Sequence, residues 1–183
     1  MSPQLEGWQK EYEFGHFVIS PESEVADEVN ALRAELDPRS ASYSGAHITL
    51  SCPLKSELTE SKEKIIKDAI CSISAFTVDY GPVKNFPNSK VLYFQIEPAE
   101  KVLAIREALH STDLFYPHTA PYEFVPHMTI REVSGEGTEI SQERMTEIRA
   151  SHCGSFFVES IDLILPNKEF VFSVSKTFTL GKN

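Results

Sequence analysis

Two stretches of the chain, GAHITLSCPL at residues 45–54 and FVPHMTIREV at 124–133, each hold a His, an apolar residue, a Thr and another apolar residue. In an extended strand, alternate side chains share a face. His47 with Thr49, and His127 with Thr129, would then each present an imidazole beside a hydroxyl, with Ile48, Leu50, Met128 and Ile130 on the opposite face. Two such pairs facing each other suit reaction at a phosphodiester. One imidazole takes a proton from the attacking water or hydroxyl, and the other gives a proton to the leaving oxygen. A pKa of ~6.5 lets one ring be neutral and the other charged near neutrality. The threonine hydroxyls would donate to the non-bridging oxygens, where charge builds.

The same period of two carries Arg131 onto the face of Thr129, where a guanidinium would hold phosphate through paired hydrogen bonds. Ser51 is the matching position of the first motif and offers a single hydroxyl. Tyr43, Tyr122 and Phe124 flank the motifs and are candidates for stacking on a base; loop packing is the alternative for each. His16, His110, His118 and His152 are expected to be ordinary residues with rings satisfied by neighbours, and the HST at 110–112 to close a helix. No HxH or HxxxH spacing supplies a third ligand, so neither metal nor cofactor is expected.

The elements that must position these residues repeat. HFVISPESEVADEVNALRAEL (16–36) reads as a strand, a proline and a helix carrying Val25, Val29, Leu32 and Leu36 at helical spacing. VLYFQIEPAEKVLAIREALH (91–110) repeats that shape with Val102, Ile105 and Leu109. Pro21 and Pro98 are 77 residues apart, and His47 and His127 are 80 apart. After each motif comes a helical stretch (60–73 and 139–152) and then a strand, with Phe76 and Phe156 80 apart and Pro87-Asn88 and Pro166-Asn167 79 apart. FVFSVSKTFTL (170–180) is a further alternating strand. The predicted fold is α+β: a duplicated, two-lobed unit with antiparallel sheets forming a central cleft and helices outside. Residues 1–183 form one bilobal domain in this reading, with 1–13 as an N-terminal extension.

Composition narrows the function. The net charge is −10, so an extended grip on a nucleic-acid backbone is not expected, although a small or terminal phosphate can be held by local cations. Three cysteines without CxxC spacing give no disulfide framework. The opening residues carry no apolar signal-peptide core, and no apolar run reaches the ~20 residues of a membrane span. A cytoplasmic monomer is the expectation.

HITL and HMTI, their spacing and the duplicated unit resemble the 2H phosphoesterase superfamily, in particular its 2′-5′ RNA ligase-like members, over about residues 14–180. The resemblance implies two lobes around a water-filled cleft and metal-independent chemistry. Its substrates would be 2′,3′-cyclic phosphates or 2′-5′-linked diesters of nucleotides or RNA ends. It implies His47 and His127 as the proton-transfer pair, Thr49 and Thr129 on the phosphate, His127 as the water activator and His47 at the leaving group. A 2′-5′ RNA ligase and a non-catalytic nucleotide-binding module are the alternatives.

Overall fold

The structure is a computed structural model, describing residues 7–87, 89–132 and 140–181. Residues 1–6 of the expected extension, Asn88 of one Pro-Asn landmark, Val133 and Glu139 lie outside the described residues.

A single eight-stranded antiparallel sheet runs through the molecule in the order β6-β3-β4-β5-β2-β1-β7-β8. The strands are β1 (His16–Ile19), β2 (Ile48–Thr49), β3 (Phe76–Asn85), β4 (Leu92–Glu97), β5 (His127–Arg131), β6 (Gly154–Val158), β7 (Ser160–Pro166) and β8 (Phe172–Thr179). The expected lobes are the halves of this sheet, joined where β2 meets β5 through Ile48 and Met128. The order reads symmetrically outward from that pair. β4 flanks β5 as β1 flanks β2, and β3 and β7 lie beyond them. β3 follows the first motif yet pairs with β4 of the other half, while β7 pairs with β1.

Helices α1 (Ser23–Leu36), α2 (Pro38–Tyr43), α3 (Glu60–Ile70), α4 (Ala99–His110) and α5 (Gln142–Ser151) accompany the sheet. The periodic residues of α1 and α4 do what their spacing predicts: Val25, Val29, Leu32, Val102, Ile105 and Leu109 are buried with Ile48, Leu50, Phe94, Met128 and Ile130 in one core. Leu36 packs at its margin. Asp37 caps α2 by accepting from the Ser40 N–H at 3.0 Å, and Pro38 suits its first turn. Among the described residues, no helix is long and apolar enough to cross a membrane.

Gly15 leads into β1 with φ of +74°, and a Cβ built there would collide with the Ile164 carbonyl oxygen. Only glycine tolerates both the left-handed backbone and that approach. Gly15→Ala is expected to destabilise the protein by at least about 2 kcal/mol in chemical denaturation; an unchanged midpoint would mean that β1 shifts freely against β7.

Candidate functional site

The site is built on the central strand pair. In an antiparallel ladder, the match of Ile48 with Met128 sets His47 across from Thr129 and Thr49 across from His127. The two histidines occupy one diagonal of a square and the two threonines the other, and diagonal positions are ~7–8 Å apart. All four are half-buried on the face opposite the core. The same face continues through Tyr93 and Gln95 of β4, which pair with Thr129 and His127. On the other side, Val18 of β1 pairs with Thr49.

Both imidazoles are held alike. His47 Nδ1 lies 2.8 Å from the Gly45 carbonyl oxygen and His127 Nδ1 2.7 Å from that of Val125. A carbonyl only accepts, so each neutral ring carries its hydrogen on Nδ1 and leaves Nε2 as the working nitrogen. Burial pushes the His47 pKa down to about 4, against the Gly45 hydrogen bond and with further depression from Arg33 and His127. Burial also lowers that of His127, opposed by its bond to Val125. Both rings are therefore neutral at pH 7, and a proton settles more readily on His127, which lacks the opposing cation Arg33.

Two cavities meet at this floor. The larger, about 750 Å³, lies over His127 and Thr129 and is walled by Phe86, Pro87, Tyr122 and Phe124. The smaller, about 190 Å³, lies over His47 and Thr49 with Trp8, Tyr12, Tyr43, Phe170 and Phe172 around it. Tyr43, Tyr122 and Phe124 thus border the candidate site. Tyr122 stands 69% exposed at the rim, whereas Phe124 is braced by the Arg106 guanidinium 4.0 Å from its ring centroid.

Ser51 and Arg131 do not enter the cleft, for one shared reason. After each motif the strand bulges. The Leu50 and Ser51 N–H groups both donate to the Phe17 carbonyl, at 2.9 and 3.3 Å. On β5, pairing advances from Tyr93–Thr129 to Leu92–Arg131, so two steps match one. A bulge breaks the period of two and turns the following residue onto the core side. Ser51 is 3% exposed, and its hydroxyl accepts from the Phe17 N–H at 2.9 Å. Arg131 is 8% exposed and shares the side of core residue Leu92.

The residue that reaches the cleft instead is Glu132, which borders both cavities. Burial by the cleft walls pushes its carboxyl pKa up, Arg33 pulls it down and Asp37 adds to the rise. The sequence also concealed two buried arginines. Arg33 of α1 donates to the Thr129 carbonyl at 2.5 Å and to that of Ser44 at 3.1 Å. Arg106 of α4 donates to the Leu50 carbonyl at 2.9 Å. Each helix thereby holds the motif strand of the other half. Both lie inside amphipathic helices, and no local signal in the sequence marks them as buried. Of the remaining histidines, His110 accepts from the Cys52 N–H at 3.2 Å, and His118 and His152 bond to Tyr122 and Ser151, as expected. His16 differs: its ring lies against the smaller cavity.

The model of the 2′-5′ RNA ligase superfamily matches residues 21–168. The chain belongs to this superfamily. Among its relatives, a Geobacillus sp. (strain WCH70) protein is 34% identical over 175 residues, 89% of this chain and 94% of the relative. One from Oceanobacillus iheyensis is 27% identical over 177 residues, covering 90% and 96%. Both are provisionally named phosphoesterases, and superfamily membership together with those names supports phosphoesterase activity. Escherichia coli LigT solved with 3′-AMP has the same fold, with a TM-score of 0.57 at 17% identity over 92% of this chain and 98% of LigT. The Thermus thermophilus protein TT0787 matches with the same score, identity and coverage.

Proposed function

We propose that the protein is a metal-independent phosphodiesterase that hydrolyses 2′,3′-cyclic phosphate or 2′-5′-linked phosphodiester bonds of nucleotides or RNA ends. The observation that carries this reading is the pair of histidines on one diagonal, each with Nδ1 tied to a carbonyl and Nε2 left to work. A phosphodiester between them is attacked by water. One Nε2 accepts the water proton as the new P–O bond forms, and the other donates a proton to the oxygen whose P–O bond breaks. Thr49 and Thr129 donate to the non-bridging oxygens, so charge is stabilised without a metal ion. Arg33 beside His47 favours neutral His47 as the base and His127 as the acid, the reverse of the roles implied by the resemblance. That LigT has been solved with 3′-AMP, ATP and NADP+ supports a nucleotide substrate. Glu132 in place of a cleft cation opposes a ligase that grips long RNA.

The test is turnover of 2′,3′-cyclic nucleotides and of 2′-5′-linked dinucleotides in EDTA, with the product isomer identified. Activity that requires added metal would overturn the mechanism; tight nucleotide binding without turnover would favour the binding module. The lowered imidazole pKa values add a pH prediction. The base is competent above its depressed pKa, and the acid is protonated only below its own, so both conditions overlap on the acidic side of the ordinary histidine value. The kcat/KM profile, which reports the free enzyme, is expected to be bell-shaped with its maximum below about pH 6.5. A maximum above pH 7 would contradict the proposed pair.

A further inference from the structure

His16 begins β1, only 6% exposed, and its Nδ1 has no hydrogen-bond partner among the described residues. Burial, with His47 adding, pushes its pKa down to about 3, so the ring is neutral with one nitrogen donating and one accepting. An orphaned buried polar atom is destabilising, a cost that an apolar side chain of similar shape would avoid. The surroundings indicate what would satisfy it. The His16 ring centroid lies 6.2 Å from that of His47, 5.2 Å from Tyr12 and 5.4 Å from Phe172. Trp8 meets Phe170 edge-on at 5.4 Å. Phe170 adopts a φ of +62°, rare for a bulky residue, and Asn167 braces its turn by accepting from the Glu169 and Val171 N–H groups. Aromatic walls, a neutral polar nitrogen and a catalytic candidate thus converge on one small cavity.

The duplication gives this cavity a counterpart. His16 and Tyr93 are 77 residues apart, the separation of Pro21 and Pro98, and both precede the proline of their strand-proline-helix unit by five residues. Tyr93 lies 5.6 Å from His127 and stacks on Phe86 at 4.2 Å. Each motif histidine therefore has a ring beside it at the corresponding place. The His127 side has a volume within the ~300–1,000 Å³ of ligand sites, while the His47 side is smaller than that range. One side has room for a nucleotide, the other for little more than a ring.

We propose that the smaller cavity is a second subsite, which takes a planar ring on the far side of the scissile phosphate and bonds it through His16 Nδ1. This rests on the phosphodiesterase reading and deepens it. The preferred substrate is an open phosphodiester joining two ring-bearing groups, such as a dinucleoside phosphate, ahead of the cyclic phosphate of one nucleoside. Water activated by His47 attacks phosphorus, the P–O bond to the group in the larger cavity breaks, and His127 protonates the released oxygen while the ring in the smaller cavity stays on the phosphate.

The experiment compares adenylyl-(2′-5′)-adenosine with adenosine 2′-methyl phosphate, which keeps the diester but has no ring for the smaller cavity. Kinetics and calorimetric binding are measured for wild type, Trp8→Ala and His16→Leu, with unfolding curves confirming that each variant is folded. Trp8 is 55% exposed, so its truncation leaves the fold intact even where His16→Leu does not. The wild type is expected to favour the dinucleotide at least about tenfold in kcat/KM, and both variants to lose that preference. Equal turnover of both compounds by the wild type would overturn the subsite and leave the phosphodiesterase reading standing. Binding of the dinucleotide at least tenfold tighter than the ester, sensitive to Trp8→Ala but without turnover, would support the subsite and overturn the hydrolase. Binding of neither compound would overturn both.

Discussion

Replacing His127 or His47 by alanine is expected to lower kcat on a phosphodiester substrate by at least about 10²-fold, with little change in Tm. Each ring makes its recorded hydrogen bond through Nδ1 to a carbonyl two residues earlier, at the edge of the cleft. Removing the ring leaves that carbonyl facing cleft water, so the fold loses little. In the proposed mechanism, the chemistry loses one end of its proton relay. Because the two rings act on the same transition state, the double variant is expected to be barely slower than the weaker single variant, not slower by the product of the two effects. Steady-state kinetics on the three variants checks this. A single variant within tenfold of wild type would remove that histidine from the reaction.

The largest expected effect on stability comes from Arg33→Leu. Arg33 is fully buried and ties α1 to the Thr129 carbonyl of β5 and to the Ser44 carbonyl after α2. Leucine fills much of the space but leaves two carbonyls without a donor, each worth about 1–3 kcal/mol when buried and unpaired. The expected loss is about 2–5 kcal/mol in urea unfolding. Arg33→Lys should lose less, since an ammonium can reach one carbonyl but lacks the planar fork that spans both. A leucine variant within about 1 kcal/mol of wild type would mean that water replaces the guanidinium. Glu132 provides a second readout. Without Arg33 its carboxyl loses the cation that holds it down, so its pKa rises further in any variant that folds.

The central site was legible because it obeys local rules. His47, Thr49, His127 and Thr129 follow the alternation of a strand, and the helices before them follow their apolar spacing. Where the reading failed, a local rule was broken by a partner distant in sequence. The alternation that placed Arg131 and Ser51 in the cleft stops at bulges set by pairing with Leu92 and Phe17, and nothing in TIREV or TLSCP announces them. Arg33 and Arg106 were not singled out, because their acceptors lie 96 and 56 residues away and nothing local marks them. His16 looked incidental because its neighbours Phe170 and Phe172 belong to the far end of the chain. The 3₁₀ turn at Trp8–Tyr12, read as part of an extension, is a wall of the cleft.

The exchange of third strands between the halves governs the order in which the molecule can assemble. β1 completes its pairing only when β7 arrives, joining His16 to Ile164, and the square of His47, Thr49, His127 and Thr129 closes only when Ile48 meets Met128. Such distant contacts require large loops to close first, and chains that depend on them fold slowly. Neither half contains a cleft in miniature. On refolding, catalytic competence would lag behind helix formation and appear with the last long-range pairing, so recovered activity is itself a clock for completion of the sheet.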